Sequence, residues 1–257
     1  RFNYNSNNPY NIKMTNTVSD SPIIFYRTGP MPCPYLTGQT ERNLFTELKK
    51  VDSKNHHETL TRAGFRRSQK IIYRPSCPTC SSCVPIRIVA KQFSANRSER
   101  RIIKRNNELN VKFIEPIATK EHYHIFNSYQ KIRHEDGEMA SMKYQDFKDM
   151  VEITDVDTKL LEFRTELGIL VAGCIVDRIS DAYSAVYSYY DPKEQNRSLG
   201  NFMILWLTNE ASKIGLSYVY LGYWIKNCNK MAYKTRYKPI EILGSTGWVN
   251  FDGNVFN

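Results

Sequence analysis

Tyr189-Tyr190-Asp191-Pro192-Lys193-Glu194-Gln195-Asn196-Arg197-Ser198-Leu199-Gly200-Asn201-Phe202 is the stretch on which the fold turns. A β-prone aromatic run stops at Asp191-Pro192, because proline cannot donate to a strand ladder. An amphipathic helix is predicted over 202–214, after Gly200. Upstream, 159–163, 169–176 and 182–190 read as consecutive strands, and 218–221 reads as another strand beyond the helix. Three strands, a helix entered through a glycine-containing loop and one more strand predict an α+β fold with a mixed β-sheet flanked by helices. In the strand-to-helix loop, open backbone N–H groups and the helix dipole favour an anion; ordinary helix capping is the competing reading.

The chain has 257 residues, 41% of them apolar, enough to bury a real core. Its 36 Lys and Arg against 26 Asp and Glu leave a formal charge of +10, which favours polyanionic partners and nucleic acid first. No run approaches the roughly 20 apolar residues of a membrane span, and the signal-peptide order is lacking, so a cytoplasmic protein is expected. Residues 1–22, rich in Asn and Tyr at their start, are expected to be a disordered extension with Met14 as an alternative start. An N-terminal region over 23–110 and a C-terminal region over 111–257 follow.

The N-terminal region is marked by Ser76-Cys77-Pro78-Thr79-Cys80-Ser81-Ser82-Cys83-Val84-Pro85-Ile86-Arg87. The run 70–73 reads as a strand entering this turn and 85–89 as the strand leaving it, which predicts a β-hairpin capped by cysteines. A second thiol loop, Gly29-Pro30-Met31-Pro32-Cys33-Pro34, is held extended by its prolines. Cys33, Cys77, Cys80 and Cys83 are a candidate set for zinc or an iron–sulfur cluster. Redox thiols and plain packing residues are the other two readings. A ribbon-type zinc site offers two paired knuckles, whereas Cys33 is alone, with Leu36 three positions on.

Ser94 is the expected N-cap of a basic helix running to about Asn107, with Arg97, Arg101, Lys104 and Arg105 on one face. A phosphate backbone fits that stripe, and so does a solvated charged face. Residues 111–114 read as a strand, and Tyr123, Phe126, Tyr129 and Ile132 mark a helical period. Tyr223 and Trp224, in Leu221-Gly222-Tyr223-Trp224-Ile225-Lys226, can stack a base, wall an acyl group or belong to the core. The five histidines lack metal-ligand spacing, and there is no Gly-x-Ser-x-Gly or Walker loop to support a serine hydrolase or a phosphate-loop ATPase.

Arg197-x-x-Gly200 resembles the donor-binding turn of the GNAT acyltransferases, which hold a coenzyme A pyrophosphate on such N–H groups. Phe202 stands where that pattern has a small residue, leaving room for a bulkier acyl donor. Pro32-Cys33-Pro34-Tyr35-Leu36, Gly64-Phe65-Arg66-Arg67-Ser68, Tyr73-Arg74-Pro75-x-Cys77-x-x-Cys80-x-x-Cys83-x-Pro85-x-Arg87, Tyr189-Tyr190-Asp191-Pro192, Arg197-Ser198-Leu199-Gly200 and Tyr220-Leu221-Gly222-Tyr223-Trp224-Ile225 are further motifs. Together they resemble the aminoacyl-tRNA–protein transferase family of the N-degron pathway, in its compact bacterial branch, across about 23–247.

That resemblance implies a GNAT-like fold and the transfer of leucine from leucyl-tRNA to proteins beginning with Asp or Glu, marking them for degradation. Arginine as donor and a coenzyme A acyltransferase are the alternative enzymes, and a zinc-containing RNA-binding module is the non-enzymatic one. No cofactor is required, because an aminoacyl ester is already activated and positioning dominates. Asp191 is the candidate general base or amine anchor, with a turn role before Pro192 as its plain alternative. An acidic acceptor side chain calls for arginine, so Arg66, Arg67 and Arg87 are the candidates, with Lys226 second; a strand sends Arg66 and Arg67 to opposite faces. Arg97, Arg101, Lys104, Arg105, Arg197, Ser198, Leu199, Gly200, Tyr223 and Trp224 are the candidate aminoacyl-tRNA contacts.

Overall fold

The computed structural model describes residues 22–135 and 137–252; all but the last residue of the expected disordered extension lies outside them. The chain begins with β1 (Tyr26–Arg27), β2 (Met31–Pro32), β3 (Thr40–Glu41), β4 (Asn43–Glu47), α1 (Ser53–Arg62), β5 (Arg66–Ser68) and β6 (Ile71–Pro75). Next come β7 (Cys83–Val89), α2 (Arg97–Arg105), β8 (Asn110–Ile114), α3 (Lys120–Arg133) and α4 (Tyr144–Glu152). The last part holds β9 (Thr158–Arg164), β10 (Leu170–Ile179), β11 (Ala182–Tyr190), α5 (Leu199–Lys213), β12 (Tyr218–Ile225), β13 (Ile240–Gly244) and β14 (Gly247–Asn250).

Eight strands form one sheet in the order β14-β13-β7-β12-β11-β10-β9-β8. Every pair in it is antiparallel except β11 with β12, so the sheet is mixed and flanked by helices, an α+β fold. Alternation along the strands feeds two cores. Leu161, Phe163 and Cys174 pack with Phe202 and Leu205 of α5 on one face. Leu160, Ile175 and Tyr189 pack with Phe126 of α3 and Phe147 of α4 on the other. Tyr189 is fully buried because Gly173 makes room: a Cβ there would come within 2.6 Å of its ring.

The expected hairpin around the cysteines is not formed. β6 lies between β4 and β5 in a four-stranded sheet, whereas β7 lies between β12 and β13 in the large one. The cause is the apolar run of β7: Ile86 and Ile88 are wholly buried and need strands on both sides to satisfy their backbone. The cysteine turn is therefore a crossover between sheets. The smaller sheet is fastened to the larger by Tyr223, whose hydroxyl lies 2.9 Å from the Gly64 carbonyl and 3.0 Å from that of Tyr73.

Two helices were not legible in the sequence. In α1 most of the buried side chains are polar, Ser53, His57 and Thr61 beside Leu60, so the apolar stripe is absent. α4 buries only Phe147 and Val151. The basic helix is capped two residues later than expected. Asn96 accepts from the amides of Ser98 and Glu99, and Glu99 accepts from the Asn96 amide, a reciprocal box worth about 1 kcal/mol.

Candidate active site

β11 and β12 pair only from Ala182 to Ser184 against Tyr218 to Tyr220, and beyond that point they part. Each strand carries an irregularity where they separate. On β11, Val186 drops out of the ladder with β10, and on β12, Leu221 and Gly222 drop out of the ladder with β7. Such bulges leave main-chain carbonyls unpaired, and here two cations take them. The Arg66 guanidinium donates to the Val186 carbonyl. The Lys234 ammonium donates to the carbonyls of Leu221 at 2.8 Å and Tyr223 at 2.7 Å.

Arg66 reaches the gap from β5 because Gly222 gives way. Gly222 has φ +71°, and a Cβ there would stand 3.2 Å from an Arg66 nitrogen. Burial alone would lower the guanidinium, but the phenols of Tyr73, Tyr35, Tyr223 and Tyr233 beside it hold its pKa above the ordinary arginine value. Tyr187 also feels this charge. Among the described residues Arg66 has no carboxylate partner. The same gap thus brings a guanidinium, a lysine amine and a ring of phenols together with no neutralising acid among the described residues.

The donor turn lies at the end of β11. Ser198 stands in the left-handed region at φ 55°, ψ 44°, and starts α5 without any side chain capping its first amides. Gly200 packs on the Tyr190 ring, where a Cβ would sit at 3.4 Å. The basic helix adjoins this turn: Asn106, wholly buried, donates to the Arg197 carbonyl at 2.9 Å, and Arg105 donates to the carbonyl of Asn196. Arg97, Arg101 and Lys104 are exposed, and none is ion-paired among the described residues.

The sequence matches the description "Arginine-tRNA-protein transferase, N terminus" over residues 31–101 and "Arginine-tRNA-protein transferase, C terminus" over 121–244. It is 48% identical to the aspartate/glutamate leucyltransferase of Paramagnetospirillum magneticum over 90% of this chain and 94% of that protein. It is 46% identical to that of Rhodospirillum rubrum over 90% of this chain and 94% of the relative. The chain belongs to the aminoacyl-tRNA–protein transferase family. Among solved structures this family member is similar to FemX, with a TM-score of 0.45 and 10% identity, covering 75% of this chain and 67% of that one. It is also similar to L-PGS from Bacillus licheniformis, with a TM-score of 0.44 and 13% identity, covering 69% and 51%.

In this transferase the arginines picked from the sequence divide into committed and uncommitted ones. Arg67 points away from the gap and is buried against Asp177, with nitrogens at 2.5 and 2.6 Å from its two carboxylate oxygens. His57 stands 3.4 Å from the same carboxylate, and Thr158 donates to it at 2.7 Å. Burial would raise the Asp177 carboxyl, but Arg67 and His57 hold it well below the usual range. Arg87 is bound to Glu241 at 2.6 Å and to the Tyr220 hydroxyl at 2.9 Å, with its guanidinium 3.5 Å from the centre of the Tyr218 ring. Both guanidiniums are paired with a carboxylate of the protein itself, unlike Arg66 among the described residues.

Other expected contacts also have partners within the protein. Tyr223 is buried and hydrogen-bonded, so it has no free face for a base, and Trp224 packs on Phe251 with ring centres 5.2 Å apart. Arg197 is held by Glu194 at 2.6 Å and by Glu108, and Leu199 is buried under the turn. Ser198 and Gly200 shape the backbone there. Asp191 accepts from the Lys193 amide at 2.9 Å, the turn role. Lys226 is exposed in the turn after β12, its amide on the Ser82 carbonyl.

The three thiols of the cysteine turn share one neighbourhood with Cys33. Burial pushes Cys83 up to about 12, with Cys33, Cys77 and Cys80 adding to the rise. Cys80 donates to the Ser82 hydroxyl at 3.3 Å. Among the described residues no group of three Cys, His, Asp or Glu side chains is arranged to hold a metal ion, so as placed these thiols do not make a ligand set. Nor is any helix of the described residues long and apolar enough to cross a membrane.

The site also contains a cation that the sequence did not mark. Lys234 lies in the 3-10 segment Asn229–Thr235, which has no apolar period and no motif signal. Burial, and then the Arg66 charge beside it, bring its ammonium down to about 7.

Proposed function

We propose that the protein transfers leucine from leucyl-tRNA to the α-amino group of proteins that begin with Asp or Glu. The observation that carries this reading is Arg66, a guanidinium lodged where β11 and β12 part, with no carboxylate partner among the described residues and a ring of phenols around it. Such a group binds an incoming carboxylate strongly, since the cost of desolvating it is already met by folding. Gln130 adds an acceptor nearby: its Oε1 is buried without a partner, while its amide nitrogen bonds Tyr187. An α-ammonium arriving with the acidic side chain supplies the missing donor.

The donor end fits the other half of the site. An exposed basic helix leads to the Arg197–Gly200 turn, where the free amides of α5 favour the anionic 3′ terminus of a tRNA. Leucine rather than arginine is favoured as the transferred residue because Arg66 already places a buried guanidinium in the gap. The acceptor amine, with pKa of about 8, is partly neutral at pH 7 and attacks an ester that is already activated.

The test is a panel of charged tRNAs and peptides. Leucyl-tRNA with peptides beginning Asp or Glu gives product, and peptides beginning Asn or Ala do not. Equal use of all four peptides, or transfer from arginyl-tRNA alone, contradicts the assignment.

A further inference from the structure

We propose that Lys234 is the proton acceptor of the transfer step, taking the proton that the attacking α-amine must lose; this rests on the transferase reading above. Its surroundings are those of a neutral amine. A neutral –NH2 has two N–H donors and one lone pair, and Lys234 has two acceptors, the carbonyls of Leu221 and Tyr223. An ammonium in the same place has a third N–H with no acceptor among the described residues. Tyr223 lies opposite Pro85 on β7, which has no N–H to give, so the Tyr223 carbonyl is a fixed anchor and not a ladder partner.

Arg66 on β5 faces Lys234 and disfavours its ammonium, while Cys83 on β7 and Cys228 after β12 act weakly the other way. The phenols of Tyr223 and Tyr233 also line the space around Arg66. No carboxylate is ion-paired to Lys234 among the described residues. Burial and Arg66 together leave Lys234 near neutrality at working pH, where a general base is most effective. Asp191, the other candidate base, accepts from the Lys193 amide.

The step balances as follows. The neutral α-amine of the acceptor forms a C–N bond to the ester carbonyl carbon, and the carbonyl π pair moves to oxygen. The attacking nitrogen, now cationic, passes one proton to the lone pair of Lys234. The oxyanion re-forms the carbonyl, the C–O bond to the tRNA ribose breaks, and the ribose oxygen takes the proton from Lys234. The products are leucyl-peptide and tRNA with a free hydroxyl, and Lys234 is neutral again.

Single-turnover transfer from preformed leucyl-tRNA to an Asp-initiated peptide, followed against pH, tests this on the unaltered protein. Two groups, the peptide amine and Lys234, must both be deprotonated, so log rate against pH rises with a slope of 2 below about pH 6.5, under both amine pKa values. A slope of 1 overturns the proposal. Lys234→Arg can still donate to both carbonyls but cannot accept a proton; it binds leucyl-tRNA within about threefold of wild type and loses about 10²–10⁴ in the transfer rate. In Lys234→Ala, added small amines restore leucyl-peptide formation in proportion to their basicity. Transfer by Lys234→Arg within about tenfold of wild type, or rescue independent of amine basicity, also overturns it. Absence of transfer by the wild-type protein to any acidic peptide instead counts against the function proposed above, which separates the two failures.

Discussion

Arg66 and Arg67 are adjacent in sequence, sit on opposite faces of one three-residue strand, and occupy two different kinds of interior. Arg67 enters a closed pocket in which Asp177, His57 and Thr158 satisfy it and one another. Arg66 enters the place where β11 and β12 part, where it meets carbonyl oxygen and phenols but, among the described residues, no acid. The same side chain is thus a bolt in one place and a receptor in the other. Burial and charge do not separate the two roles; the presence of a carboxylate partner does.

The largest effect expected is on the closed side. Asp177→Asn leaves Arg67 buried without its counter-charge and costs about 3–5 kcal/mol of stability, read by urea unfolding at pH 7. Because the folded Asp177 carboxyl is held below its unfolded value, its contribution is fully present above about pH 4. It is lost as the pH falls through the folded pKa, so the variant and wild type converge in stability in strong acid. A variant as stable as wild type at pH 7 breaks the contrast between the two arginines.

On the open side, Arg66→Ala has nearly as large an effect but on a different quantity. It lowers kcat/KM for an Asp-initiated peptide by about 3 kcal/mol, over a hundredfold, since it removes one member of a buried charge pair made only with substrate. Leucyl-tRNA affinity changes little. Next in size, Arg101→Ala with Lys104→Ala weakens leucyl-tRNA binding severalfold. The slope of log affinity against log salt, measured from about 50 to 200 mM, becomes shallower by about 0.7–0.9 for each phosphate these side chains neutralise. Smallest is Glu108→Gln: its ion pair with Arg197 is partly exposed and contributes about 0–1 kcal/mol, a shift visible only as a small change in melting temperature.

Much of the large sheet was legible because its strands alternate or run apolar between turn residues. Residues 159–163, 169–176 and 182–190 correspond to β9, β10 and β11, and the helix after Gly200 begins three residues earlier than its apolar pattern. The opposite faces of Arg66 and Arg67 followed from strand period alone. The cysteine hairpin did not form because pairing is decided by neighbours far along the chain: β7 joins β12 and β13, more than 120 residues away. Partners likewise decided the arginines. Nothing local to Arg67 or Arg87 announces Asp177 or Glu241, and nothing local to Lys234 announces the two carbonyls that β12 leaves open.

Discrimination between Asp and its uncharged isostere Asn at the acceptor N-terminus tests the central claim most directly, with kcat/KM measured for both peptides on wild type and Arg66→Ala. A lone guanidinium reading a carboxylate gives the wild type a preference for Asp of about a hundredfold and the variant a ratio near one. A variant that is slower overall yet keeps the hundredfold preference contradicts the account, because the acid would then be read elsewhere.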